Sequence, residues 1–102
     1  MDAFAALSDP GRRRMIELLE RGECPAGALA AQFDLTPAAV SQHLKALREA
    51  GLVRVRAEGQ RRIYSLDPDG LAAVDAWIAR VRGQWQARLD WLEAALAEEK
   101  GK

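Results

Sequence analysis

The sequence predicts a mainly α-helical protein with one small β-hairpin and a long C-terminal helix. A short amphipathic helix is expected between Thr36 and Gly51, a hairpin rich in arginine follows it, and an apolar stripe then runs along 71–99. An α-helix fits the major groove of DNA, and a basic hairpin beside it is typical of a winged helix-turn-helix. We expect a single domain over residues 1–102, with the helix-turn-helix core and wing at 3–66 and a dimerisation helix at 71–99.

The first segments are apolar and then basic. Residues 3–7 are apolar, but this stretch is far too short for a signal peptide or a membrane span. A helix is expected from about Arg12 to Arg21, with Met15, Ile16, Leu18 and Leu19 facing the core. Three arginines at 12–14 crowd its first turn, where the helix dipole disfavours cations. Either an anionic partner such as phosphate offsets this mismatch, or the arginines are simply solvated.

The next segment predicts the first half of a helix-turn-helix. Cys24 and Pro25 are expected to open a short helix that carries Leu29, Ala30 and Phe33. A tight connection at 34–36 then leads into a second short helix, which is the helix-turn-helix pattern. Cys24 is interpreted as a packed or capping thiol, because a redox switch needs a second thiol that only another subunit can provide. A lone cysteine suits a reduced, cytoplasmic protein.

The second short helix has clear ends and two distinct faces. Thr36 can cap it, Pro37 suits its first position, and Gly51 can adopt the left-handed conformation that ends it. Its buried face is predicted to carry Val40, Leu44 and Leu47. Its outer face is predicted to carry Ala38, Ser41, Gln42 and Lys45, with Ala46 beside them and His43 on the flank. Glutamine can pair with adenine and serine with either base type, although an ordinary solvated helix face has the same composition.

The hairpin that follows is predicted to form the wing. Valines at 53 and 55 alternate with arginines at 54 and 56, which is the period of a half-buried strand. Residues 57–60 supply the turn, with Gly59 suited to positive φ. The return strand at 61–66 has an ambiguous facing, because Ile63 lies opposite in parity to Tyr64 and Leu66.

The charge is localised rather than large. The whole chain has a net charge of zero, which by itself argues against a nonspecific polyanion binder. Residues 45–64, however, carry six basic and two acidic side chains, a net +4, whereas residues 67–102 carry five basic and seven acidic ones, a net −2. A basic region confined to the predicted helix and wing is the electrostatic pattern of a DNA-binding protein.

The last helix carries apolar residues at a spacing of three and four along nearly its whole length, and Trp77 and Trp91 widen this stripe. An exposed stripe of this length favours pairing with the same helix of a second copy over folding back on its own domain. Core packing is the expected role of the tryptophans, with a ligand pocket at the dimer seam as the alternative.

The chain resembles the ArsR/SmtB family of bacterial winged-helix repressors. Four stretches carry the resemblance: ALSDPGRRR at 6–14, LAAQFDLTPAAVSQHL at 29–44, LREAGLV at 47–53 and EGQRRIYSL at 58–66. The resemblance implies a dimer formed by the first and last helices, operator binding, and release by a signal. The predicted DNA-contacting residues are Thr36, Ala38, Ser41, Gln42, His43, Lys45, Arg56, Gln60, Arg61 and Arg62. The predicted dimer contacts are Phe4, Leu7, Leu71, Val74, Ile78, Val81, Trp85, Leu89 and Leu92.

The sequence also departs from the metal-sensing members of that family. They carry paired cysteines at the helix beginning near Cys24, or Asp and His ligands on the last helix, whereas this chain has one cysteine and, on the last helix, Asp75 without histidine. Zinc sites need about four ligands, so neither a metal nor a cofactor is expected. No catalytic constellation is present, and the expected partners are double-stranded DNA and a second copy, with no membrane. A winged-helix module that binds only proteins is the alternative, which the retained wing arginines disfavour.

Overall fold

The computed structural model describes residues 2–100 and confirms a mainly helical winged helix-turn-helix. Its elements in chain order are α1 (Ala3–Leu7), α2 (Pro10–Glu20), β1 (Cys24–Pro25), α3 (Ala26–Ala31), α4 (Pro37–Glu49), β2 (Val53–Glu58), β3 (Arg61–Leu66) and α5 (Pro68–Lys100). The chain divides into two compact units, one up to Ala72 and one from Ala73 onward, and each is described by itself.

Short polar side chains begin three of the helices. The Asp2 carboxylate accepts from the backbone N–H of Ala5 at 2.8 Å, and the Thr36 hydroxyl accepts from that of Ala39 at 3.1 Å. Asp9 does the same for Arg12 at 3.0 Å, and α2 therefore begins at Pro10, two residues earlier than predicted. Such caps satisfy backbone donors that a helix leaves unpaired in its first turn.

The sheet has three antiparallel strands instead of the predicted two, in the order β1-β3-β2. Cys24 pairs with Tyr64 and Pro25 with Ile63 in the added strand. The prediction that Cys24 and Pro25 open a helix, with Phe33 on it, is therefore wrong, because α3 runs only over Ala26–Ala31. The physical reason is local: a residue before proline favours extended backbone, and Pro25 itself is extended at φ −64° and ψ 148°. Cys24 consequently does not cap α3.

The central position of β3 explains why the facing of this strand was ambiguous. Ile63 and Tyr64 point to opposite faces, yet both are buried. Tyr64 stands opposite Val55 on the face that packs on the helices, whereas Ile63 stands between Pro25 and Arg56 in the register. At the wing tip, Gly59 has φ +63° and no described non-glycine residue has positive φ, as in a type II′ turn.

The core of the first unit centres on the inner face of α4. Val40, Leu44 and Leu47 are buried as predicted, together with Met15, Leu19, Leu29 and Leu52 from neighbouring elements. Ala46 was predicted beside the outer face and is buried instead, at 8% exposure. The helices α1 and α2 both contact α4 and bury part of one of its sides. The exposed arc of α4 is therefore narrower than the hydrophobic periodicity alone predicts.

The same flank holds His43 against the start of α2. His43 Nδ1 lies 3.9 Å from Asp9 Oδ2, and the two side chains are 21% and 35% exposed. The hydrogen bond from the Arg12 backbone N–H is the largest effect and lowers the pKa of Asp9; burial opposes it, and the charges of His43 and Arg12 lower the pKa further by smaller amounts. One carboxylate therefore caps α2 and contacts α4.

The junction between α4 and α5 requires two glycines. Gly51 ends α4 with φ +77°, and the Asp67 backbone N–H donates to Leu52 O at 2.9 Å. The helix α5 begins at Pro68 rather than Leu71, with Asp67 Oδ1 accepting from the Asp69 backbone N–H at 3.0 Å, and its first turn lies against this end of α4. A β-carbon at Gly70 would overlap the carbonyl oxygen of Gly51.

The second unit consists of the remainder of α5. No side chain within Pro68–Lys100 is buried, and the exposed fraction reaches 59% at Trp85 and 71% at Trp91. Within residues 2–100, no helix combines the length and apolar character that crossing a membrane requires.

We expect Gly70→Ala to lower the free energy of unfolding by about 1–3 kcal/mol, because the new methyl group must displace backbone. Gly83→Ala is the matched control: it lies on the same helix with nothing within 4 Å of a β-carbon, and should raise stability by about 0.5–1 kcal/mol. Urea unfolding of both variants measures this difference. A Gly70→Ala protein as stable as the parent would contradict the close approach of Gly70 to the Gly51 carbonyl.

We expect the capping charge of Asp9 to make stability depend on pH. Because folding lowers the pKa of Asp9, its contribution is fully present above the unfolded-state pKa and is lost as pH falls through the folded-state pKa. Asp9→Asn keeps a capping oxygen without the charge, and should cost about 0.3–1 kcal/mol at neutral pH. That difference should shrink as pH falls below the ordinary aspartate pKa of about 3.9 and vanish only below the lowered folded-state pKa of Asp9. A difference in unfolding free energy that stays constant from neutral to acid pH would refute this assignment.

Candidate nucleic-acid interface

The outer arc of α4 presents small and polar side chains to solvent. Ala38, Ser41, Gln42 and Lys45 are all exposed, whereas Val40 and Leu44 on the opposite side are buried. Thr36 is exposed as well, but its hydroxyl is engaged in capping the helix. An exposed glutamine between small residues can approach a base edge closely enough for a paired hydrogen bond. This arc therefore has the shape and the chemistry to read bases.

His43 does not belong to that arc. It is only half-buried, but it faces Asp9 at the start of α2 rather than solvent beside Gln42. Of the two roles considered from the sequence, phosphate contact and local packing, this geometry favours packing.

Two exposed arginines of the wing directly follow the turn at its tip. Gln60, Arg61 and Arg62 are exposed and follow the Gly59 turn directly. Arg62 also lines a groove of about 190 Å³ with Ser41 of α4, over a floor that includes Val40, Leu44 and Tyr64. The structure therefore brings a candidate base-reading residue of the helix and a candidate phosphate-binding residue of the wing to one surface.

Arg56 differs from the other wing arginines, because two carboxylates hold it. Its Nη2 lies 2.6 Å from Glu23 Oε1 and its Nη1 lies 2.7 Å from Glu58 Oε2. These hydrogen bonds, first with Glu58 and then with Glu23, raise the pKa of Arg56, and the Arg56 partner lowers the pKa of Glu58. Glu23 is not among the residues that the sequence predicts at this site. Alternation along β2 places Arg56 and Glu58 on one face, but no sequence signal brings Glu23 across the sheet to them.

The arginines at the start of α2 are also engaged within the chain. Arg12 Nε donates to Ala6 O at 2.6 Å, and Arg13 Nη1 donates to Leu7 O at 2.8 Å. The Arg14 guanidinium lies 5.9 Å from the centre of the Phe33 ring, within cation–π range. The carbonyl oxygens at the end of α1 therefore accept hydrogen bonds from Arg12 and Arg13, which offsets their unfavourable position in the first turn of α2. Arg12 and Arg13 are therefore not simply solvated, and a phosphate contact at the start of α2 stays a prediction.

Cys24 and the acidic side chains do not form a recognisable metal site in the described part of the chain. Within residues 2–100, no group of three or more Cys, His, Asp or Glu side chains lies close enough together to hold a metal ion. Cys24 is half-buried on β1.

Comparison with known proteins places these features in a family. The model of the arsR family of bacterial regulatory proteins matches residues 9–55. The HTH-type transcriptional regulator Rv2034 of Mycobacterium tuberculosis is 49% identical over 72 residues, which cover 71% of this chain and 67% of that protein. The transcriptional repressor SdpR of Bacillus subtilis is 34% identical over 77 residues, covering 76% of this chain and 86% of SdpR. Among solved structures, an ArsR-like transcriptional regulator from Rhodococcus sp. RHA1 matches with a TM-score of 0.76 and 30% identity, over 87% of this chain and 84% of that one.

Proposed function

Because this chain belongs to the arsR family of bacterial regulatory proteins, whose members are transcriptional regulators and not enzymes, we propose that it binds DNA as a homodimer and represses transcription. The operator is a roughly palindromic sequence with two half-sites. The observation that carries the proposal is the exposed arc of α4, whose Ser41 shares a groove with Arg62 of the wing.

In this proposal α4 lies in the major groove. Gln42 pairs with an adenine and Ser41 contacts a neighbouring base, while Lys45 reaches a phosphate or a guanine. The burial of Val40, Leu44 and Leu47 supports the assignment, since it leaves these polar side chains on the opposite side of the helix. Ala38 allows the backbone of the first turn to approach the bases closely.

The wing contacts the DNA backbone beside the groove. Gln60, Arg61 and Arg62 are exposed at its tip, where a guanidinium can neutralise a phosphate and release counterions. Thr36 and His43 are secondary candidates, because the cap of α4 and the contact with Asp9 already engage them.

Dimerisation rests on the apolar stripe of α5 and the apolar face of α1. Ile78, Val81, Trp85 and Leu92 are 43–59% exposed, and Phe4 is 46% exposed. Leu7, Leu71, Val74 and Leu89 are half-exposed along the same predicted interface. A stripe of this kind is typical of a surface that a partner covers, and a two-fold dimer covers it with an identical stripe. The two-fold axis then relates two copies of α4 to two half-sites.

We expect Gln42→Ala to weaken binding at the cognate operator by about 1–3 kcal/mol and to relax the preference at one base position in each half-site. The matched control is Gln86→Ala, the same change at an exposed position of α5. Fluorescence anisotropy with the operator and with single-base variants of it measures both effects. Unchanged affinity and selectivity in a folded Gln42→Ala protein would exclude Gln42 from base reading.

The double variant Arg61→Ala/Arg62→Ala provides a contrast. It should weaken binding to all sequences alike and flatten the salt dependence by about 0.9 in the log–log slope for each lost phosphate contact. A salt slope equal to that of the parent protein would remove the wing from the interface.

The dimer is tested by sedimentation equilibrium at micromolar concentration. We expect the parent chain to sediment as a dimer and Trp85→Glu to shift it towards monomer, because a charge must then be buried in an apolar seam. Ala87→Glu is the control, since about 100° per residue places it on the other side of the helix from Trp85. A parent chain that sediments as a monomer would refute the paired arrangement and the palindromic operator with it.

A further inference from the structure

Arg56 is a predicted DNA contact, but it is paired with two carboxylates and stands on the face of the wing opposite Arg62 and Tyr64. The guanidinium is 51% exposed, and Glu23 and Glu58 are 54% and 57% exposed. Exposed ion pairs contribute little to folding stability, because solvent screens the charges. Exposure also means that another anion can reach Arg56 and compete for it. The three side chains therefore affect the binding of an anion at the wing more than they affect the stability of the fold.

The cluster of Arg56, Glu23 and Glu58 is itself negative. One guanidinium with two carboxylates has a net charge of −1, although residues 45–64 together carry +4. A phosphate that approaches Arg56 meets Glu23 and Glu58 as well, and like charges repel it. In the free protein the wing thus attracts DNA through Arg61 and Arg62 more strongly than through Arg56.

Glu23 and Glu58 hold Arg56 from different places. Glu58 lies on β2 itself, two residues beyond Arg56, and moves with the wing. Glu23 immediately precedes β1, which occupies the opposite edge of the sheet, so the Glu23–Arg56 pair spans β3. Glu23 is therefore the partner from which Arg56 must separate when it turns towards an anion outside the sheet.

A groove beside this pair is large enough to receive that anion. It has a volume of about 320 Å³ and is lined by Glu23, Arg54, Val55, Arg56 and Ser65. Two guanidiniums and a hydroxyl can donate to one phosphate, and charge-assisted hydrogen bonds to phosphate are among the stronger ones in proteins. The carboxylate of Glu23 is the one group in the lining that opposes such an anion.

We propose that Glu23 is a specificity-determining residue, which holds Arg56 in the free protein and releases it to a DNA phosphate only when the wing is fully seated. On a non-cognate duplex the wing contacts the backbone only through residues such as Arg61 and Arg62, Arg56 stays with Glu23, and the carboxylate repels the nearby phosphates. On the operator the base contacts of α4 bring a phosphate into the groove, and Arg56 exchanges partners. Glu23 therefore lowers affinity for non-cognate DNA more than for the operator. This inference rests on the proposed DNA-binding function.

The test compares Glu23→Gln with the parent chain on two duplexes, an operator selected from a random pool and a scrambled version of it. We expect Glu23→Gln to tighten binding to the scrambled duplex about two- to five-fold, the range that an exposed ion pair covers. The log–log salt slope on that duplex should steepen by up to about 0.9, which corresponds to one added phosphate contact. The ratio of the two affinities should fall accordingly.

Two further variants separate release of Arg56 from a general change of charge. Glu20→Gln makes the same substitution at an exposed residue near the end of α2, and it should have a smaller effect. In an Arg56→Ala background, the gain from Glu23→Gln should shrink to that of Glu20→Gln. Equal effects of the two Glu→Gln variants, a gain that persists without Arg56, or weaker binding by Glu23→Gln would each overturn the proposal. A parent chain that binds neither duplex would instead refute the proposed function.

Discussion

The one-sided burial of α4 is the constraint on which the rest of the molecule depends. Val40, Leu44 and Leu47 lock the helix about its own axis, and that rotation decides which residues face outward. The helices α1 and α2 then cover a flank of α4, which buries Ala46 and turns His43 towards Asp9. Ser41, Gln42 and Lys45 remain on the open arc as a consequence of this packing. The packing of the core therefore determines which polar side chains of α4 form the candidate DNA-reading surface.

Internal pairing of positive charge is the second organising feature. Arg12 and Arg13 donate to the carbonyls that end α1, and Arg56 is shared by two carboxylates. Backbone carbonyls orient Arg12 and Arg13 without neutralising them, but Glu23 lies outside residues 45–64, so the +4 counted there omits one carboxylate beside Arg56. Arg62 lines the groove that contains Ser41, whereas Arg54 lines the groove beside Glu23 and Arg56. The exposed arginines of the wing therefore lie along both of these grooves.

Short sequence motifs correctly predicted those helix ends and turns that depend only on neighbouring residues. The cap at Thr36, the left-handed Gly51 and the Gly59 turn depend on neighbouring residues, and the structure confirms all three. The strand at Cys24, the burial of Ala46 and the Glu23–Arg56 pair depend on elements distant in sequence, so spacing could not predict them. The start of α5 also escaped prediction, although its signal is local: Asp67 Oδ1 accepts from the Asp69 backbone N–H, and Pro68 occupies the first helical position. The DNA and dimer contacts stay predictions, since they require molecules other than this chain.

In the proposed dimer, two copies of α4 related by the two-fold axis read DNA together. Selection of bound sequences from a random pool tests this most directly, because the recovered motif reports the symmetry and spacing of the readers. We predict an inverted repeat whose half-site centres lie about one helical turn, or a multiple of it, apart. Recovery of a single unrepeated half-site, or of no motif above the starting pool, would contradict it.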